Sequence, residues 1–233
     1  MNIKLITFDL DNTLWHTDPI IIRAERLLWA WIQRHCPMAA ERFNPVSLHA
    51  FKVQVANKNP HLRHKLSQLR LEFLYQLFIA CSCQPLQARA LAQQGFTEFL
   101  AARNHIELFP GALSMLQTLQ QNYQIIALSN GNSDLKMIGI DHLFDAHFHA
   151  ENVSRPKPFD DMFIAAMKHA GVSANECIHV GDHPEQDVFA AQQLGFKTVW
   201  ANLLQHSWPA SLPVADHEIN HLDQLVSYIK QSN

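Results

Sequence analysis

The sequence predicts a doubly wound α/β fold, with a Rossmann-like parallel sheet interrupted after its first strand by a separate helical insertion. Three observations carry this expectation. Short apolar runs alternate with helix-period segments, residues 16–106 contain no strand-like run, and a polar cluster follows each of the first four strands of the core. The chain has 233 residues, of which 48% are apolar and 17% charged, with 7 Gly, 11 Pro and 4 Cys. Collagenous, disordered and disulfide-stapled classes are thereby excluded, and the length allows a core plus a smaller second unit.

Residues Ile3 to Phe8 (IKLITF) form a β-branched apolar run that ends abruptly at Asp9, Asp11 and Asn12, which reads as a buried strand opening into a polar loop. Ile125 to Ser129, Ala146 to His149, Cys177 to Val180 and Lys197 to Ala201 are runs of the same kind. Helical periodicity occupies Gly111 to Gln121, Phe159 to Ala170 and Glu185 to Leu194, and Asp223 to Gln231 reads as a closing helix. Strands that alternate with helices pair in parallel and are covered on both faces. The expected boundaries are residues 1–15 and 107–233 for this core.

Residues 16–106 read as consecutive helices. Asp18-Pro19 and Asn44-Pro45 each supply a cap followed by a first-turn proline, Leu62, Leu66, Leu69, Phe73 and Leu77 form a stripe in His61 to Ala80, and another helix follows Pro85. Helix-on-helix packing is the expected use of these stripes. The predicted unit is a lid-like helical cap over the carboxyl edge of the sheet.

The formal charge of -3 is spread without a basic stripe, so no nucleic-acid partner is expected. No apolar stretch reaches the length of a bilayer span, and Met1 to Thr7 does not fit a secretory leader. The expectation is a cytoplasmic protein, a monomer or weak homodimer, without membrane contact. Cys36, Cys81, Cys83 and Cys177 suit reduced thiols, with Cys81-Ser82-Cys83 read as buried at a helix end. The 15 histidines are dispersed, and His147-Phe148-His149 reads as one face of a short strand bearing surface histidines.

Chemistry is expected where the strands of an open parallel sheet end. There the chain has Asp9-Leu10-Asp11-Asn12-Thr13, Ser129-Asn130-Gly131, Arg155-Pro156-Lys157-Pro158, and Gly181-Asp182 with Asp187 five residues on. Taken singly, each has an ordinary explanation as a cap or turn. Together, Asp9, Asp11 and Asp182 would repel one another by several kcal/mol at an effective dielectric near ~20, so the cluster calls for a hard cation, Mg2+. Metal and Lys157 would make a pocket for a dianion such as phosphate. One aspartate can attack phosphorus, and a second, two residues on, can protonate the leaving alcohol and then deprotonate water.

DLDNTL at Asp9 to Leu14, LSN at Leu128 to Asn130, KP at Lys157-Pro158 and GDxxxxD at Gly181 to Asp187 resemble, in order and spacing, the four signature motifs of the haloacid-dehalogenase-like hydrolase superfamily. The insertion resembles that superfamily's helical cap. RPKPFDDMF, LSNGN and HVGDHPEQDV look most like the bacterial phosphatases of riboflavin metabolism that act on flavin mononucleotide and on 5-amino-6-(5-phospho-D-ribitylamino)uracil. The resemblance implies a Mg2+-dependent phosphatase of small phosphomonoesters. In it Asp9 would be nucleophile and metal ligand, and Asp11 general acid and base, binding metal through its main-chain carbonyl. Ser129 and Asn130 would bind the phosphoryl group, Lys157 would hold nucleophile and phosphate, and Asp182 would be the third protein ligand. Asp187 would stand close behind it, and Thr13 would brace the loop. His183, where many relatives have an acidic or small residue, is not expected to be a ligand.

Substrate contacts in the cap are sought among Lys52, Lys58, Arg63, His64, Lys65 and Arg70, with Arg70 preferred because Leu69 and Phe73 turn its helix face towards the bundle; Trp15 is a candidate stacking surface. Three alternatives share the scaffold: a sugar phosphomutase, a 2-haloacid dehalogenase, which typically lacks the second carboxylate, and a non-catalytic binding protein, which would be expected to have lost a motif residue.

Overall fold

A computed structural model describes residues 2–232. The chain divides into two compact units, Met1–Thr17 with Ile106–Asn233 and Asp18–His105.

The first unit is an all-parallel six-stranded sheet in the order β3-β2-β1-β4-β5-β6. Its strands are β1 (Leu5–Phe8), β2 (Gln124–Ser129), β3 (Ala146–His149), β4 (Cys177–Gly181), β5 (Lys197–Ala201) and β6 (His217–Ile219). β1 and β4 are buried along their whole length, which is why their sequences are continuous apolar runs rather than alternating ones. β6 was not expected: its three residues, His-Glu-Ile, form no run, and pairing with β5 alone makes them a strand.

The helix Asp161–Ala170 lays Met162, Phe163 and Ala166 against Leu5, Ile126 and Leu128. Phe163 meets Phe196 edge to face, with centroids 5.7 Å apart. The terminal helix (Asp223–Ser232) packs near the helix Ala112–Leu119, which buries Ala112, Met115, Leu116 and Leu119. Past β4 the expected helix is replaced by a wide π-helical segment, Pro184–Phe189, running into a short α-helix, Ala190–Gln193. His147 and His149 on β3 are half-buried rather than at the surface, and burial pushes the His147 pKa down to about 4.

The second unit is built from helices Thr17–His35, Met38–Arg42, Pro45–Lys58, Leu66–Ala80 and Pro85–Arg103. Asn44 and Ser47 form a reciprocal capping box ahead of Pro45, as their spacing allows. Asp18-Pro19 lies inside the first turn of its helix, which already begins at Thr17. In the fourth of these helices the buried face is Phe73, Leu74, Leu77 and Phe78; Leu66 is exposed and Leu62 belongs to a preceding 3-10 turn, so the predicted stripe holds only in its carboxyl half. Those residues pack with Leu28, Trp31 and Phe99. Gly95 supplies the close approach, since a Cβ there would stand 3.0 Å from the Trp31 ring.

Arg70, expected to contact substrate, lies in this unit with Nη1 2.7 Å from Glu25 Oε1 and its guanidinium 3.5 Å over the Phe99 ring. Lys52 reaches the other Glu25 oxygen at 2.6 Å. Among the described residues no helix is long and apolar enough to cross a membrane.

Burial pushes the Glu25 pKa up, but Arg70 and then Lys52 outweigh it and hold the group below its ordinary 4.5. A depressed folded-state pKa gives stability that is complete above 4.5 and is lost as pH falls below it. Glu25→Gln is therefore expected to cost about 1–3 kcal/mol at neutral pH and to flatten the decline of thermal stability below pH 4.5, read from unfolding curves at a series of pH values.

Candidate active site

β1 is the point at which the strand order reverses: the chain builds β2 and β3 on one side, then crosses to place β4 and β5 on the other. A crevice opens at such a switch point, beyond the carboxyl ends of the two central strands. Asp9 leaves β1 there, its N–H donating to the Val180 carbonyl of β4 at 2.8 Å, and Asp182 leaves β4 beside it.

The Asp9 carboxylate is buried. Oδ1 accepts from Lys157 Nζ at 2.7 Å and Oδ2 from the Thr13 hydroxyl at 3.2 Å. Asn12, at φ 62°, turns the loop sharply, a conformation that Asn tolerates better than most residues. The turn brings Asp11 Oδ1 to the Trp15 indole N–H at 2.8 Å and the Thr17 hydroxyl at 2.7 Å. Trp15 is fully buried, so it anchors Asp11 and offers no stacking surface.

Ser129 Oγ accepts from the Gly131 N–H at 3.0 Å, and a Cβ on Gly131 would collide with Asp11 Oδ2. The first two loops therefore converge, with glycine required at the crossing. The Asn130 carboxamide, expected on the phosphoryl group, grips the Lys157 backbone: Nδ2 donates to its carbonyl at 2.8 Å and Oδ1 accepts its N–H at 2.9 Å. The same Nδ2 donates to Gln186 Oε1 at 2.8 Å. Lys157-Pro158 is a cis peptide. Lys157 Nζ, held in this way, lies 2.5 Å from Asp187 Oδ1 as well as on Asp9.

Asp9, Asp182 and Asp187 each bring a carboxylate oxygen to within 4.8 Å of the others. Asp187, expected behind the metal set, thus joins the cluster, but Lys157, the His183 N–H at 3.0 Å and His179 already occupy its oxygens. The electrostatics divide the three. Despite burial, Lys157 and His179 hold Asp187 well below the usual carboxylate range. Burial pushes Asp9 well above it, with the Asp187 and Asp182 charges adding to the rise against Lys157. Asp182 is pushed up to about 7 by burial and Asp187. Lys157 is raised in spite of burial, by Asp187 and then Asp9, and stays charged.

Asp9 and Asp182 are therefore two oxygen donors whose negative charge one lysine does not offset. A hard divalent cation satisfies that demand, and the residues fit one. The sequence reading missed His179, Gln186 and Trp200, whose indole N–H donates to the Asp182 carbonyl at 2.7 Å. Their only signal is position: His179 sits within a strand that leads to a motif loop, Gln186 in the helical segment after it, and Trp200 on the next strand.

A family model described as haloacid dehalogenase-like hydrolase matches residues 3–195. The chain belongs to that family. It is 28% identical over 231 residues to the 5-amino-6-(5-phospho-D-ribitylamino)uracil phosphatase YigB of Escherichia coli (strain K12), covering 97% of this chain and 96% of the relative. It is 25% identical to the glyceraldehyde 3-phosphate phosphatase of Pyrococcus furiosus, over 99% and 95% of the two chains. The crystal structure of a 2-haloacid dehalogenase from Pseudomonas syringae pv. Tomato DC3000 superposes with a TM-score of 0.93 at 32% identity, over 99% of this chain and 100% of that one. The protein is a hydrolase of this family, with named phosphatases among its relatives.

Gly181 ends β4 against the Asp187 side chain, and a Cβ there would overlap Asp187 Cγ. Gly181→Ala is expected to displace that carboxylate and lower stability by about 1–3 kcal/mol, measured by thermal or urea unfolding.

Proposed function

We propose that this hydrolase is a Mg2+-dependent phosphatase that cleaves a small phosphomonoester through an aspartyl phosphate on Asp9. The observation that carries the reading is the pairing of a lysine-pinned carboxylate, Asp9, with a second carboxylate two residues on, Asp11, which Trp15 and Thr17 hold in one orientation.

Asp9 attacks phosphorus, a carboxylate oxygen–phosphorus bond forms, and the bond to the leaving alcohol breaks. Asp11, acting as general acid, gives a proton to that alcohol. Asp11 then takes a proton from water, whose oxygen attacks phosphorus as the Asp9 oxygen–phosphorus bond breaks, which releases inorganic phosphate and restores the Asp9 carboxylate. Lys157 fixes the nucleophile's direction and offsets charge, and the Ser129 hydroxyl binds a phosphoryl oxygen. Mg2+, held by Asp9, Asp182 and the Asp11 main-chain carbonyl, would neutralise the phosphoryl oxygens and the raised carboxylates. Thr13 and Asp187 hold Asp9 and Lys157 in place.

For the substrate, the likeness to the Escherichia coli enzyme over nearly the whole chain favours 5-amino-6-(5-phospho-D-ribitylamino)uracil, and the motif resemblance adds flavin mononucleotide as a candidate. A cytoplasmic setting belongs to the same reading, because four irregularly spaced cysteines suit reduced thiols.

A 2-haloacid dehalogenase is the second reading, favoured by the Pseudomonas syringae structure. A halide leaves without a proton, so dehalogenation gives Asp11 no leaving group to protonate. The test is phosphate release from a panel of phosphorylated metabolites, including flavin mononucleotide, sugar phosphates and nucleotides, beside halide release from 2-haloacids. Phosphate release that stops with excess chelator and in Asp9→Asn, and falls about 10²- to 10⁴-fold in Asp11→Asn, is the expected result. Halide release alone, or turnover that survives the chelator or Asp9→Asn, refutes the reading.

A further inference from the structure

His179 is buried beside the cluster, with its two ring nitrogens engaged by Thr7 and Asp187. It stands on β4 in register with Thr7 of β1, and register partners in a parallel pair share a face of the sheet. Thr7 Oγ1 lies 2.8 Å from His179 Nδ1, and His179 Nε2 lies 3.2 Å from Asp187 Oδ1. Phe163 meets the ring edge to face, with centroids 5.0 Å apart, and fixes its plane.

Hydrogen-bond chemistry leaves one neutral tautomer. The Asp187 carboxylate can only accept, so Nε2 must carry the hydrogen. Nδ1 is then a lone pair that needs a donor, and Thr7 is the one in reach. Its hydroxyl also lies 3.3 Å from the Ile178 carbonyl, a longer contact than the 2.8 Å to the ring. Burial keeps the ring towards its neutral form.

We propose that His179 is a positioning residue for the hydrolysis: the Thr7 hydroxyl locks the Nε2–H tautomer, which donates to Asp187 Oδ1 and keeps that carboxylate turned to Lys157, and Lys157 pins Asp9. Thr7 on β1 and Asp9 just past its end lie two residues apart, so the path through His179, Asp187 and Lys157 starts and ends on one short stretch of chain. A second-row partner of this kind fixes the direction of a group that touches the reacting atoms without touching them itself. Without the Nε2–H bond, Asp187 loses one of the donors on Oδ1 and is free to turn its charge towards Asp9 and Asp182.

The proposal rests on the phosphatase reading, and two measurements separate the two. The first is a long-range proton–nitrogen NMR spectrum of the histidine rings of the intact protein, with His179 assigned by comparison with His179→Gln. The Nε2–H pattern in the wild type and its loss or mixing in Thr7→Val are expected; an Nδ1–H ring in the wild type overturns the proposal whatever the enzyme hydrolyses.

The second is steady-state kinetics with the best phosphomonoester of the panel. Thr7→Val and His179→Leu are expected to lower kcat about 10- to 100-fold with KM within a few-fold, while Thr7→Ser, and His179→Gln in part, restore it. Unchanged kcat in folded Thr7→Val and His179→Leu overturns the positioning role. If His179→Leu does not fold, the Val and Ser pair at Thr7 decides. A wild type that hydrolyses no phosphomonoester refutes the phosphatase reading alone, and the tautomer with the Asp187–Lys157 contact in a crystal structure of Thr7→Val then decides the role of His179.

Discussion

A buried ammonium shared by two buried carboxylates is the constraint on which the rest depends. Lys157 Nζ sits 2.7 Å from Asp9 and 2.5 Å from Asp187, with hardly any of its side chain in contact with solvent. Burying any one of these charges alone would cost several kcal/mol, and they are tolerated because they are buried together. That arrangement demands a rigid frame. Asn130 provides it by clamping the Lys157 backbone at both N–H and carbonyl, so the loop after β2 positions the side chain delivered by the loop after β3.

The frame follows from strand order. With β1 lying between β2 and β4, four loops emerge at one edge, and residues more than a hundred positions apart, such as Asp9 and either Lys157 or Asp187, meet there. Small residues mark the closest approaches. Gly131 faces Asp11 and Gly181 faces Asp187, and at each a methyl group would overlap a carboxylate. Chemically similar aspartates then differ by environment: Asp187, bonded by Lys157, His179 and a backbone N–H, is held ionised, whereas Asp9 and Asp182 carry pKa values pushed upward. The pair with unsatisfied charge is the one suited to a cation.

Much of this was legible in the sequence because it rests on local signals. A run of buried β-branched residues that stops at Asp9 marks both a central strand and its functional end, and the same signal recurs at Ser129 and Asp182. What escaped depends on partners remote in sequence. β6 is a strand only through β5, and Leu66 keeps the helical period yet lies outside the buried face. Trp15 reads as a stacking ring until the fold buries it against Asp11, and His179 reads as an ordinary strand residue until Thr7 stands opposite. Arg70 looked available for substrate because nothing in its own helix announces Glu25, forty-five residues earlier.

Asp11 is where the likeness to a dehalogenase and the likeness to phosphatases divide. Close superposition on a dehalogenase shows a shared scaffold and nothing of the leaving group. A departing alkoxide must be protonated along a defined direction, and a proton donor is useful only if its carboxyl group is held. Asp11 is held by two donors on one oxygen, from Trp15 and Thr17, while its other oxygen faces the glycine turn that follows Ser129. Both donors come from the last residues of the α/β unit before the chain enters the helical one, so the segment that orients Asp11 is also the one through which the insertion begins. An oriented second carboxylate at that point suits a leaving group that needs a proton, and for a halide it would have no task.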